Sequence, residues 1–137
     1  MAELGCTVRG YDPEVKDVRN PHKNMHFHQG VIADYTDKFD KAQTFQNMLD
    51  INGDEDKNIT YVKMDIEHNE RSVFLQLFTG NILRRIDQIG VEIHAGHIKK
   101  LTKHQLMEIF KTNLTIYYKL FHKYGFRYGS LYFYYTY

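Results

Sequence analysis

The chain has 137 residues and a formal net charge of +1 at neutral pH, with 42% hydrophobic and 26% charged residues. That length holds one domain or less, and the composition excludes a disordered chain. The charge balance offers no basic surface of the kind nucleic acids select, so no nucleic-acid partner is expected.

Cys6 is the single cysteine, which excludes an internal disulfide framework and a cysteine-rich zinc site. No apolar run approaches the roughly 20 residues of a membrane span. The first residues have neither the basic start nor the long apolar core of a signal peptide. None of this fixes a compartment.

Residues 1–4 read as the last turn of a helix stopped by Gly5. Residues 6–11 read as a strand ended by Asp12 and Pro13. Asp12 is either a ribose-binding acid at a strand end or the start of a turn. Residues 14–25 read as loop, 26–33 as a strand and 34–42 as an exposed loop. Thr44 is placed to cap a short helix with Phe45, Met48 and Leu49 on its apolar face. Residues 50–58 superficially resemble a calcium loop, but Glu55 stands where the loop needs Gly and Tyr61 where it needs Glu, so a solvated turn is expected.

Residues 59–70 carry the chemistry. An apolar strand runs into Asp65, Glu67 and Glu70. Asn69 then starts a helix with Val73, Phe74, Leu77 and Phe78 on one face, stopping near Gly80. A second apolar strand over 86–94 ends in Glu92 and His94. Thr102 and Gln105 form a capping box for the next helix, with Leu101 and Leu106 as its hydrophobic staple. Leu106, Ile109, Phe110, Leu114, Tyr117, Leu120, Phe121 and Tyr124 recur along that helix at helical spacing, and Gly125 stops it. Residues 128–137 are aromatic and strand-like; uncovered, they would form an edge prone to association.

Strand, acidic end, helix, strand, polar end, helix is the rhythm of a parallel α/β sheet, whose ligands sit beyond the carboxyl ends of the strands. Side chains alternate along a strand, so Lys63, Asp65 and Glu67 share one face and Glu92 and His94 share another. The simplest register sets Lys63 against Glu92 and Asp65 against His94. Two readings stay open. These groups neutralise one another as an ion-pair network, or they line a ligand crevice with His94 as general base and Asp12 entering from a nearby strand end. Carboxylates and an imidazole can also hold a divalent cation. His26 and His28 form a weaker pair on a strand.

Gly5-Cys6-Thr7-Val8 with Tyr11-Asp12-Pro13, then Val62 through Glu67 with Glu70 behind it, then Val91 through His94, resemble the FkbM-like and animal methyltransferase-like proteins. These belong to the class I, S-adenosylmethionine-dependent fold. The resemblance covers residues 4 to 127 and rests on the order of the motifs. It implies a Rossmann-like, mostly parallel sheet with helices on both faces. In that sheet residues 6–11 would be the second strand, 59–65 the fourth, 86–94 the fifth and 128–137 the sixth. It implies S-adenosylmethionine as cofactor, Asp12 on its ribose, and Asp65, Glu67 and His94 at the reaction site, with the methyl acceptor unspecified. His68 stands where the family usually has Gly, at a tight strand-to-helix turn.

Such folds carry a glycine loop roughly 20 residues before the ribose acid. Counting back from Asp12 passes Met1, so the first strand and its loop are expected to be missing, along with the usual last antiparallel strand. On this reading residues 1–137 form a single partial domain, a fragment of a longer product or a degenerate copy. The rivals are a non-catalytic, methyltransferase-derived binding protein and a metal-dependent hydrolase using Asp65, Glu67 and His94.

Overall fold

The computed structural model describes residues 1–15, 22–37, 41–67, 69–94 and 100–127. The aromatic run 128–137 and His68 lie outside them. The described chain is mixed α/β, built on short parallel strand pairs and helices. No helix in it is long and apolar enough to cross a membrane.

A 3-10 turn over Ala2–Leu4 ends at Gly5, whose φ of 86° is the left-handed value that glycine adopts without steric cost. Strand β1 (Val8–Asp12) pairs in parallel with β2 (Met25–Gln29), Gly10 level with Phe27 and Asp12 with Gln29. The strand expected over 26–33 breaks at Gly30. Its second part, β3 (Val31–Ile32), pairs with β4 (Ala42–Gln43). The expected exposed loop over 34–42 therefore ends in a buried residue: Ala42 fills the core. Backbone pairing set that position, and no periodicity in so short a segment signals it.

Helix α1 (Phe45–Ile51) starts at Thr44, whose hydroxyl accepts from the Asn47 N–H at 3.1 Å, and Phe45, Met48 and Leu49 are buried as their spacing requires. In the turn that follows, Asp54 is bound by the Arg9 guanidinium and by Lys57. This turn fastens the start of β5 to β1; it is not merely solvated.

Strand β5 (Ile59–Met64) pairs in parallel with β6 (Ile86–Val91), with Ile59 level with Ile86, Val62 with Ile89 and Lys63 with Gly90. Lys63 is thus level with Gly90, two residues from the expected Glu92. Val62 and Met64 are buried, while Tyr61 and Lys63 on the other face are exposed. Burial does not force that second face to be charge-paired, contrary to the expectation of a strand covered on both sides.

Helix α2 (Glu70–Leu77) follows β5 and buries Val73, Phe74 and Leu77 completely. Removing a side chain of this size from water contributes about 1.5–3 kcal/mol each. A 3-10 turn, Ile82–Arg85, leads into β6. Helix α3 (Lys103–Tyr118) begins with the expected capping box and continues as a π-helical turn, Lys119–Lys123. Its buried residue is Ile116, which packs in the core with Leu83, Ile86, Phe74 and Leu77. Phe110 and Leu114, expected on the inner face, are exposed.

Candidate functional site

Strands β5 and β6 run the same way, so both deliver their carboxyl ends to one place. The pairing continues one step beyond the strands, where the Glu92 N–H donates to the Met64 carbonyl at 2.9 Å. After Met64 the chain turns sharply, and Glu67 adopts a positive φ of 46°. A non-glycine residue there costs roughly 1–2 kcal/mol. Glu67 is thus a left-handed residue of this turn, while His68, where a tight conformation was expected, lies outside the described residues. Helix α2 then starts immediately, with Glu70 in its first turn, where the helix dipole favours a carboxylate.

His94 is the hub of the site. Its side chain is buried, with 8% of the residue exposed, and Nδ1 lies 2.6 Å from Oε1 of the fully buried Glu70. With Glu70 ionised, Nδ1–H donates and Nε2 faces the other way. From Nε2, Glu92 Oε1 is at 3.7 Å, Glu67 Oε2 at 3.8 Å and Asp65 Oδ1 at 3.9 Å. The Glu70 hydrogen bond raises the His94 pKa, burial opposes that rise, and the charges of Glu70, Glu67 and Glu92 reinforce it. Arg71 fixes the backbone: Nη2 donates to the His94 carbonyl at 2.8 Å and Nε to Asn113 Oδ1 at 3.0 Å, which ties β6 and α3 to α2.

Asp65, Glu67 and His94 are thus brought together as expected. Lys63 pairs with Asp65 at 3.6 Å instead of with Glu92. Asp12 is not part of this cluster. It is exposed at the end of β1, and its Oδ1 accepts from the Glu14 N–H at 2.7 Å, the turn-starting role. Its other oxygen makes no hydrogen bond within the described residues. Beside it, the ends of β1 and β2 open on a cavity of about 350 Å³ lined by Tyr11, Phe27, His28, Gln29, Met48 and Asn52. Tyr11 and His28 stack there, centroids 5.1 Å apart, and the buried Nε2 of His28 has no hydrogen-bond partner among the described residues.

Glu92 was expected only as the partner of Lys63, Glu70 only as part of the acidic run, and Arg71 had no role assigned from sequence. Glu70 stands three residues after Glu67 and at a helix start, a spacing that places it beneath the turn. Arg71 left no signal, since its partners are a distant carbonyl and a distant amide.

Comparison with protein-family models, curated proteins and solved structures yields no match. What the chain does rests on its own residues.

Proposed function

We propose that the chain is a class I methyltransferase-like domain of Rossmann-like topology, using S-adenosylmethionine and an acceptor of unassigned chemistry. The observation that carries this reading is the convergence of Asp65, Glu67 and His94 beyond two adjacent parallel strands. Ligands of α/β sheets bind at that edge. The separate parallel pair β1–β2, ending in Asp12, supplies a second feature of the same architecture.

The cavity at the end of β1–β2, next to Asp12 in sequence, is our candidate for the nucleoside half of such a cofactor. It lies in the size range of small-ligand sites and is lined by the stacked rings of Tyr11 and His28. Asp12 keeps one oxygen for ribose hydroxyls, and His28 and Tyr11 would hold the base. When bound, the cofactor supplies an electrophilic methyl group. At the other pair of strands, His94 accepts the acceptor's proton through Nε2, Glu70 holds the ring and its tautomer through Nδ1, and Asp65 and Glu67 stabilise the imidazolium that results.

Calorimetric titration with S-adenosylmethionine tests the reading. Saturable heat is expected, weakened at least tenfold in Asp12→Asn. Asparagine still accepts the Glu14 N–H, so this variant separates the ribose role from the turn. No heat and no thermal stabilisation up to millimolar ligand would overturn the reading in favour of a non-catalytic relative.

A further inference from the structure

Helix α3 carries a second surface that the packing of the core leaves open. Ile116 faces the core, while Met107, Phe110, Leu114 and Tyr118 are 47, 59, 51 and 65% exposed. Steps of three and four residues set these four in one line along the helix. Exposed apolar residues elsewhere, such as Ile51 on α1, Tyr61 on β5 and Leu75 on α2, stand singly on their elements. Single ones are ordinary, whereas a continuous line marks a surface with a partner.

Charge defines that partner. Lys103 stands one turn before Met107, and Lys111 lies a turn from both Met107 and Leu114. His122 packs against Tyr118, ring centroids 4.8 Å apart. From residue 103 to 124 four lysines stand against one acid, Glu108, a net charge of +3, so the remainder of a chain of net +1 carries −2. Glu108 is itself held by Lys111 at 2.8 Å. The positive charge of the chain is thus concentrated beside its exposed apolar line.

We propose that this face of α3 docks on an anionic lipid surface. Met107, Phe110 and Leu114 enter the acyl boundary, while Tyr118 and the lysines stay among the headgroups. An apolar stripe flanked by lysines is the composition of helices that lie in a membrane interface, and anionic lipids attract such lysines. From Met107 to Tyr118 the stripe is roughly 16 Å long and about 10 Å wide. That is far below the roughly 800 Å² that each partner of a stable protein pair buries. A second copy would also set +3 against +3. A bilayer needs neither a large matched area nor a pocket, only an apolar ridge and cations. The helix has 16 residues, and no helix among the described residues is long and apolar enough to cross a membrane, so α3 lies on the surface. The proposal goes beyond methyl transfer and does not depend on it.

The test is cosedimentation of the full chain with vesicles of equal parts phosphatidylcholine and phosphatidylserine, and with vesicles of phosphatidylcholine alone. Binding to the first is expected, roughly tenfold weaker to the second, and weakened by salt. Phe110→Ser with Leu114→Ser alters exposed side chains only. This double variant is expected to weaken binding at least tenfold with its circular dichroism unchanged. Lys103→Gln with Lys111→Gln is expected to reduce the preference for phosphatidylserine. No binding to either vesicle, or binding indifferent to both double variants, would overturn the proposal. Soluble polyglutamate bound as tightly as the vesicles would overturn it in favour of an acidic protein. A dimer in sedimentation that Phe110→Ser dissociates would overturn it in favour of a second copy.

Discussion

Glu70 Oε1 sits 2.6 Å from His94 Nδ1, joining the first turn of α2 to the end of β6 across 24 residues of sequence, with the carboxylate wholly removed from solvent. A charge placed there persists only because it is hydrogen-bonded. Replacing Glu70 by Ala leaves the imidazole without its partner. A loss of about 3–5 kcal/mol in urea unfolding is expected. Glu70→Gln keeps an acceptor, and a loss of about 1 kcal/mol is expected. Equal losses for the two variants would mean that packing, not the hydrogen bond, is what matters.

The Arg9–Asp54 pair fastens β1 to the turn before β5. Its hydrogen bond to Arg9 lowers the Asp54 pKa below the usual carboxylate range; partial burial opposes this, and Lys57 assists. A depressed folded-state value means that the contribution to stability is present above the unfolded pKa of about 3.9 and is lost as pH falls through the folded one. Asp54→Asn is expected to be less stable than wild type at pH 7, by about 1–3 kcal/mol. The gap should close as pH falls below about 4. Urea midpoints of both chains from pH 7 to pH 2.5 check this; a gap that stays constant with pH would contradict it.

Helix α3 offers a contrast between a buried and an exposed apolar residue. Ile116 is 1% exposed and Phe110 is 59% exposed. Ile116→Ala is expected to cost about 2–5 kcal/mol through lost burial and the cavity left behind. Phe110→Ala is expected to change stability by no more than about 0.5 kcal/mol. Comparable losses would contradict the packing that buries Ile116 and leaves Phe110 exposed.

Much of this protein is written locally. Thr102 with Gln105, Thr44 and Gly5 specify helix ends through groups within three residues of one another, and each behaves as its chemistry dictates. The polar tips of the two central strands were also legible, since apolar runs ending in acids and an imidazole need no tertiary information to be noticed. The register was not. A slip of two residues keeps every side chain on its own face, so alternation along β5 and β6 cannot distinguish Lys63 beside Glu92 from Lys63 beside Gly90. Likewise, the apolar spacing read along α3 includes Phe110 and passes over Ile116, and only packing against α2 and the core decided that Ile116 is the one buried. The candidate site depends on both levels. Sequence supplied its residue types, while the turn at Glu67 and the burial of Glu70 beneath His94 arranged them, because those contacts join segments that only the folded chain brings within reach.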